Sequence, residues 1–342
     1  MPLDAVDKLL LNLLQSSFPL EPEPFGAVAR RAELPLDEVK ARTQRLLDER
    51  IIREITPIFD TRALGYASML VAAKVDSENP QRAARIINSH PGVSHNYLRT
   101  HEFNLWFTIA TPPDSGLGLD GTLEVLSAAT GAESIRQLPT LTLFKINMNL
   151  EMERGTEALE ATVAATPPRE LEAQPYDEVD VAVIRALQGP MAVTDRPYDA
   201  AAEQVGMPVG RFLEHLERMV ERKLLRRVAA ILFHRRAGFS ANGMGVWRVP
   251  SDQVLEVGGK MAAVRGVSHC YQRPTYDDWP YSVFTMAHGR SKQECDAVLD
   301  RIADEHGLHG DDRAVLYSST EFKKVRLHYF TEDYADWEAQ HS

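Results

Sequence analysis

The sequence predicts an α+β protein with two tandem copies of one unit, a winged helix-turn-helix domain followed by a ferredoxin-like βαββαβ domain. Two observations support this fold class. The second half of the chain repeats the first half at a nearly constant offset, and each half changes from helical patterns to alternating strands and helices. A chain of 342 residues is long enough for such an arrangement.

The internal repeat is visible when Asp4 is aligned with Asp177 and the two halves are read forward. Short insertions then keep the later motifs in register. The matched segments are Ile51-Ile52-Arg53 with Leu224-Leu225-Arg226, His95, Tyr97 and Arg99 with His269, Tyr271 and Arg273, Phe107-Thr108 with Phe284-Thr285, and Phe144-Lys145 with Phe322-Lys323. Each unit of about 165 residues has the length of one domain or of two small ones.

Each copy is predicted to begin with three helices and a strand, which form the winged helix-turn-helix domain. These are 4–14, 25–33, 36–50 and 51–59, and then 177–187, 198–205, 208–223 and 224–233. The βαββαβ elements follow at 68–75, 79–89, 95–101, 105–110, 121–130 and 138–148, and at 243–249, 251–264, 268–273, 281–288, 292–307 and 314–327. The predicted domains are 1–60, 61–150, 176–233 and 234–342, with a Glu-, Ala-, Thr- and Pro-rich linker at 151–175.

Composition narrows the class of protein. The net charge of −11 argues against a protein that coats nucleic acid, whose affinity comes largely from neutralised phosphates. No apolar run approaches the roughly 18–20 residues of a membrane span, and the N-terminus lacks the pattern of a secretory signal. With only Cys270 and Cys295, and no CxxC or HExxH motif, we expect a cytoplasmic protein without a disulfide framework or a structural zinc site.

The third helix of each helix-turn-helix unit is close to neutral. Asp37 and Glu38 help to balance the first, and Glu214, Glu217 and Glu221 lie among the basic residues of the second. A helix that reads DNA usually has an uncompensated basic face. We therefore favour helical units that pack or dimerise, and we expect no DNA partner.

The strand predicted at 95–101 carries the most distinctive side chains of the chain. Its alternate positions place His95, Tyr97, Arg99 and His101 on one face. A strand that only closes a core has aliphatic or aromatic residues on its buried face, so this row predicts the wall of a polar pocket. The second copy repeats three of these residue types at His269, Tyr271 and Arg273.

Two longer motifs around these strands resemble a known family. They read H-N-Y-L-R-x-H-x-x-N-L-W-F-T from His95, and Y-x-R-P-x-Y-x-D-W-P-Y from Tyr271, with F-T-M-x-H-G from Phe284. A winged helix before a βαββαβ domain resembles the Lrp/AsnC family of regulators, and the motifs are similar to those of the sirohaem decarboxylases, an enzymatic branch of that family. Those enzymes have two homologous subunits, AhbA and AhbB. The fused arrangement over nearly the whole chain is similar to the NirDL type of haem d1 biosynthesis.

The resemblance implies that the ferredoxin-like domains pair through their sheets as an intrachain pseudo-dimer, with the polar rows near the interface. It also implies the loss of CO2 from the C12 and C18 acetates of sirohaem, which gives 12,18-didecarboxysirohaem, in one pocket that acts twice or two pockets that each act once. No cofactor beyond this iron tetrapyrrole is expected, since the macrocycle accepts the electrons. Homologous decarboxylase subunits or further copies of the chain are the candidate partners. The alternatives are a haem-responsive Lrp/AsnC-type regulator and a non-catalytic tetrapyrrole carrier.

Candidate roles follow from the residue types. His101 is the first candidate for proton donor, because Thr275 stands at the aligned place in the second copy, and an exposed turn histidine is the alternative. His95 and Tyr97 are further catalytic candidates. Either His95 or His269 is a possible axial ligand of the sirohaem iron, or a histidine satisfied within the sheet, and the protein holds no metal of its own. The residues assigned to substrate binding are Arg99, Tyr271, Arg273, His269, Trp279 and Trp106, of which Trp106 also suits a core position. His288, Lys145 and Lys323 are weaker candidates for a cationic lining.

Overall fold

The structure is a computed structural model that describes residues 3–16, 18–146, 173–233, 241–289 and 291–341. Within these residues the predicted order of elements is confirmed, with small shifts of their boundaries. An additional strand at Ser134–Gln137, just before the predicted last strand of the first copy, was not predicted, and 147–148 of that last strand lie outside the described residues. Of the predicted linker at 151–175, only 173–175 lies inside the described residues. The first copy contains α1 (Ala5–Ser16), α2 (Pro24–Ala32), α3 (Leu36–Asp48), β1 (Ile52–Phe59), β2 (Ala67–Lys74), α4 (Pro80–Ser89), β3 (Val93–Arg99), β4 (Leu105–Thr111), α5 (Gly118–Thr130), β5 (Ser134–Gln137) and β6 (Thr142–Ile146). The second copy contains α6 (Glu178–Leu187), α7 (Asp199–Gln204), α8 (Val209–Glu221), β7 (Leu225–Leu232), β8 (Ala241–Trp247), α9 (Val254–Ala263), β9 (Val267–Gln272), β10 (Val283–Gly289), α10 (Lys292–His306), β11 (Arg313–Lys324) and α11 (Asp333–His341).

The two helix-turn-helix units form one body. Strands β1 and β7 pair as an antiparallel ribbon in which Ile55 lies opposite Ala230. A single hydrophobic cluster contains buried residues of both units, among them Leu11 and Val39 from the first and Leu216 from the second. The wings therefore join the two helical units to each other.

A buried carboxylate holds the start of the first helix in each unit. Asp7 accepts hydrogen bonds from Arg42 and Arg45. In the second unit, Asp180 accepts from Arg222 at 2.5 and 2.9 Å and contacts the His215 ring at 2.8 Å, and it completes a capping box with Asp177. These pairs tie the first helix of each unit to its third helix.

The larger sheet is assembled from both copies by an exchange of their last strands. Its nine strands run in the order β5-β2-β4-β3-β11-β8-β10-β9-β6. The first part of β11 pairs with β8 of its own copy, and the second part pairs with β3 of the other copy. In the first copy, β5 likewise pairs with β2, whereas β6 crosses to β9. Each copy therefore completes the sheet of the other.

Each half of this sheet has an outer face under helices and an inner face toward the other half. Helices α4 and α5 cover one half and α9 and α10 cover the other. The inner faces meet in a central core made of Ala72, Phe103, Trp106, Leu138, Met244, Val246, Trp279, Phe284 and Leu316. Contacts such as Trp106 to Phe284, with ring centroids 6.4 Å apart, join the two copies in this core.

The C-terminal segment returns from the second copy to the first. Trp337 of α11 packs in the core under α4 and α5, and its indole nitrogen donates to the Ser89 hydroxyl at 3.1 Å. This helix was not predicted from the sequence. In the described part of the chain, no helix is long and apolar enough to cross a membrane.

Candidate active site

The His/Tyr/Arg row of the first copy lies on the inner face of β3. His95 is opposite Thr108, and Tyr97 is opposite Trp106 of the central core. The guanidinium carbon of Arg99 lies 5.7 Å from the centroid of the Trp106 ring. The predicted shared face is therefore present for these three residues.

The second copy repeats the arrangement on β9. His269 lies opposite Met286, and Tyr271 lies opposite Phe284 of the central core. The guanidinium carbon of Arg273 lies 5.1 Å from the Tyr271 ring centroid and 5.4 Å from that of Phe284. The two rows face the same central core from opposite copies.

The strand pairing corrects one part of the sequence alignment. Tyr97 and Tyr271 are equivalent, and they pair with Trp106 and Phe284 respectively. Phe284 therefore corresponds to Trp106, whereas Phe107 faces the helices of its own copy. The predicted match of Phe107 with Phe284 was wrong by one residue, because side chains alternate between the faces of a strand.

Arg99 and Arg273 are charged groups without a carboxylate partner among the described residues. One Nη of Arg99 donates to the Leu316 carbonyl at 3.3 Å, and one Nη of Arg273 donates to the Leu138 carbonyl. The Nε atom of each is sealed from solvent and has no hydrogen-bond partner in the described ranges. Burial lowers the pKa of each arginine to about 10. Buried cations without counter-ions are costly, so this arrangement suits an anionic ligand.

His101 lies beyond β3, in the turn that leads to β4. This corrects its predicted place on the strand: the Arg99 amide bonds to the Asn104 carbonyl and ends β3. The Phe103 amide donates to Nδ1 of His101 at 3.1 Å, so the neutral ring carries its proton on Nε2. His101, Arg99, Lys74 and Glu102 line part of a cleft of about 670 Å3.

Rings from both copies surround His101. Its ring centroid lies 6.3 Å from that of Phe103, 5.3 Å from Trp279 and 6.2 Å from Tyr281. Burial lowers the pKa of His101, and the neighbouring carboxylate of Glu102 acts in the opposite direction. An imidazole in this setting is neutral until an anion approaches it.

His95 and His269 each contact the serine that precedes them. Ser268 donates to the Met286 carbonyl at 3.2 Å and lies 2.7 Å from Nδ1 of His269, which assigns the ring proton to Nδ1 and leaves a lone pair on Nε2. Burial, and the charge of His288, lower the pKa of His269 to about 4. Such a nitrogen is a base or a metal ligand rather than an acid.

His95 has a similar setting with more positive charge around it. Its Nδ1 lies 3.0 Å from Ser94 Oγ. Its pKa is lowered by burial first and then by Lys324 and Arg53. The Ser-His pair in both copies was not singled out from the sequence, although its repetition was a usable signal.

Trp106 and Trp279 are both fully buried in the central core. The indole nitrogen of Trp106 donates to the Phe103 carbonyl at 2.7 Å. The expectation that Trp279 presents a ring to a macrocycle is not met in this structure, because the loop that carries it folds inward against His101 and Trp106. Both tryptophans shape the site from within the core.

The three weaker candidates for a cationic lining lie on different faces of the sheet. His288 lies on the inner face, with its ring centroid 6.4 Å from that of His269. Lys323 instead donates to the carbonyls of Asn88 and His90, and Lys145 pairs with Cys270 under α9 and α10. The two lysines therefore do not line the inner face.

No cluster of three or more metal-binding side chains occurs within the described ranges. Each histidine of the two rows lies beside the tyrosine of its row: the ring centroids are 6.2 Å apart for His95 and Tyr97 and 6.0 Å apart for His269 and Tyr271.

Comparison with known proteins defines the class. Residues 63–145 and 236–323 match the AsnC-like ligand binding domain, and residues 7–53 and 180–226 match the siroheme decarboxylase NirDL-like HTH domain. The protein thus has the architecture of an AsnC-type ligand-binding protein, present twice in one chain.

Individual relatives narrow this class. The siroheme decarboxylase of Hydrogenobacter thermophilus is 37% identical over 96% of both chains. The siroheme decarboxylase beta subunit of Methanosarcina barkeri is 37% identical over 44% of this chain and 99% of its own length. A crystal structure of siroheme decarboxylase NirDL in co-complex with an iron-uroporphyrin III analogue matches with a TM-score of 0.77 and 32% identity, and covers 98% of each chain. The chain belongs to the sirohaem decarboxylase family.

Proposed function

We propose that this protein is a carboxy-lyase that converts sirohaem to 12,18-didecarboxysirohaem by removing CO2 from the C12 and C18 acetates. The observation that carries the proposal is the pair of equivalent arginines, Arg99 and Arg273, that lie against the central core without a carboxylate partner in the described structure. Sirohaem carries eight carboxylates. Its recognition needs cations of this kind, supplied in a partly desolvated site.

The reaction consumes one proton for each CO2 released. The bond between the acetate methylene and its carboxylate breaks, CO2 leaves, and the electron pair passes to the conjugated ring system. A proton then reaches the methylene carbon and completes a methyl group. No oxidant or reductant is needed, so no cofactor beyond the iron tetrapyrrole substrate takes part.

The residues of the site divide these tasks. Arg99 and Arg273 hold carboxylates, and Tyr97 and Tyr271 are hydrogen-bond donors beside them. His101 is the proton donor, because its Nε2 carries a proton and it lines a cleft beside Arg99. An approaching carboxylate favours its charged form and so enables it to act as an acid.

The protonation state of His269 suits a different role from that of His101. Its Nε2 has the lone pair, and its low pKa keeps the ring neutral at physiological pH. These properties suit an axial ligand of the sirohaem iron. His95 is the equivalent candidate from the first copy, and it is also the second candidate for proton donor.

The test is anaerobic incubation of the protein with sirohaem, followed by mass analysis of the tetrapyrrole. Loss of one or two CO2 is expected. His101→Ala should lower turnover with little change in affinity, and Arg99→Ala should weaken binding by about tenfold or more. An unchanged tetrapyrrole mass with tight binding would contradict the decarboxylase proposal and favour a carrier or regulator. Full activity and affinity in both variants would contradict the assigned residues.

We also propose the partners of the protein and its cellular compartment. Separate subunits occur among the relatives, so homologous decarboxylase subunits or further copies of this chain are the protein partners proposed. The exposed positions of α3 include Asp37 and Asp48, and those of α8 include Glu214 and Glu217, which disfavours a DNA partner. The compartment proposed is the cytoplasm. A mobility shift assay at low salt tests the DNA statement, and binding there would contradict it.

A further inference from the structure

We propose that Arg136 and Asp278 form a positioning pair: it holds the loop 274–281 of the second copy closed over His101 and so sets the orientation and hydration of that proton donor. This inference rests on the proposed function and assigns a role in turnover to residues that lie outside the His/Tyr/Arg rows.

The loop is fastened to the edge strand of the other copy. Arg136 of β5 donates from Nε and Nη2 to the two carboxylate oxygens of Asp278, at 2.7 and 2.9 Å. Ser134 adds a hydrogen bond to the same carboxylate at 2.8 Å. The Tyr276 hydroxyl donates to the Gln137 carbonyl at 2.6 Å, and the Arg136 guanidinium lies 5.0 Å from the Tyr276 ring. Bidentate geometry fixes both the position and the direction of the loop.

The loop directs one side chain into the centre of the protein. The backbones of Tyr276 and Trp279 exchange hydrogen bonds of 2.8 and 3.0 Å, which forms a tight hairpin. Trp279 then lies fully buried against His101, Phe103 and Trp106. Its indole nitrogen has no hydrogen-bond partner within the described residues. The ring is therefore held by packing and by its loop alone.

The position of the loop controls the surroundings of His101. Trp279 and Tyr281 come from this loop and its end, and Phe103 comes from the turn of His101 itself. The ionisable groups that face His101 are Glu102 beside it, Tyr281 against its ring, and Arg99, Lys74, Asp76 and Glu133 in the cleft. Release of the loop removes rings from one side of the imidazole and admits water. The Arg136–Asp278 ion pair, which lies outside the His/Tyr/Arg rows, thus acts on the proton donor through the loop.

If Arg136 and Asp278 have only a structural role, different effects of their replacement are expected. The side chains of Arg136 and Asp278 are 34% and 38% exposed, and ion pairs of this exposure contribute little to stability. If the pair only joins the two copies, its loss changes stability slightly and leaves the chemistry of His101 as it was. Turnover and its pH dependence therefore separate the two roles.

The experiment compares Asp278→Asn with the wild type and with the double variant Arg136→Asp/Asp278→Arg, which restores an opposite pair. Asp300→Asn is the matched control, because Asp300 accepts from Arg313 at 2.7 Å and neither residue lines the cleft. Each protein is assayed for sirohaem decarboxylation, for sirohaem affinity by absorbance titration, and for melting temperature.

We expect Asp278→Asn to lower kcat about tenfold with an unchanged Kd, since small misplacements of a catalytic group have such effects. The falling limb of the kcat profile should move to higher pH, because a better hydrated His101 keeps its proton longer. The double variant should recover part of kcat, and Asp300→Asn should behave as the wild type.

Two results would overturn the inference. In the first, kcat and its pH profile are the same in Asp278→Asn as in Asp300→Asn. In the second, Asp278→Asn loses activity only in proportion to a lower melting temperature, with the pH limb unmoved. Both leave the proposed function intact if His101→Ala still lowers turnover. Full turnover in His101→Ala would instead refute the proton-donor role on which the inference rests.

Discussion

Replacing Arg99 by methionine should make the free protein more stable and the substrate complex weaker. Arg99 is charged, lies against aromatic rings, and has no counter-ion in the described structure. Its pKa in the folded protein is about 10, below the usual 12.5, so the folded state holds this proton less tightly than the unfolded chain. At every pH below about 10, the charged arginine therefore costs stability, and a neutral side chain removes that cost.

The size of the effect can be worked from the structure. A pKa of about 10 instead of 12.5 corresponds to about 3 kcal/mol. Relaxation of the protein around the charge screens part of this cost, which reduces it to about 2 kcal/mol. Loss of the hydrogen bond to the Leu316 carbonyl offsets about 1 kcal/mol. The free protein should thus gain about 1 kcal/mol, while sirohaem loses charge-assisted bonds worth about 1.5–3 kcal/mol, or about 10- to 100-fold in Kd.

Chemical denaturation and absorbance titration with sirohaem measure the two quantities. Arg326→Met is the matched control. Burial lowers the pKa of Arg326 as well, but Arg326 pairs with Glu54 at 3.1 Å and donates to the Pro57 carbonyl at 2.9 Å, so its replacement loses an ion pair and hydrogen bonds that Arg99 does not have. That variant should lose stability and keep its affinity. If Arg99→Met is less stable than the wild type and binds sirohaem equally well, Arg99 is a structural residue and the reasoning fails.

Three further predictions concern packing, buried charge and pH. Gly258→Ala should destabilise the protein by about 1–3 kcal/mol, because the added Cβ would lie 2.5 Å from the Phe144 ring. In Gly259→Ala the added Cβ meets nothing within 4 Å, so this variant should stabilise α9 by up to about 1 kcal/mol. Equal melting temperatures of the two variants would refute this prediction. Asp180→Asn should cost about 1–3 kcal/mol in urea unfolding, since it removes the charge of a buried carboxylate that pairs with Arg222 and contacts the His215 ring, and a cost near zero would contradict that account. In pH profiles, kcat/KM should fall as the pH rises through a value below 6.5, because burial lowers the pKa of His101 in the free enzyme. The fall in kcat should come at a higher pH, because the carboxylates of bound substrate favour the charged ring. If kcat fell at a lower pH than kcat/KM, His101 would be excluded as the acid.

The sequence was sufficient to predict most of the helices and strands, though not β5 or α11, and to predict the row of polar side chains on β3. Alternation with a period of two places His95, Tyr97 and Arg99 on one face, whatever the strand pairs with. The repeat of this row in the second copy then predicted two facing sets of polar residues. These inferences depend on local backbone geometry, which a sequence pattern records directly.

Features that depend on the partner of a strand were not accessible in this way. The crossing of β6 to β9 and of β11 to β3 uses backbone hydrogen bonds, which carry no residue signature. His101 leaves the strand because a turn begins at Arg99, and only the fold brings Trp279 to it. The inward loop follows from contacts with β5, a strand of the other copy.

The exchange of last strands also gives a reason for the fusion of the two copies. Neither copy can complete its sheet alone, so two separate chains would have to find each other and could also pair with themselves. A self-pair of the first copy would carry two residues equivalent to His101, and a self-pair of the second would carry none. A covalent connection raises the effective concentration of the correct half to about the millimolar range. It therefore fixes a one-to-one stoichiometry and selects the asymmetric assembly at the time of synthesis.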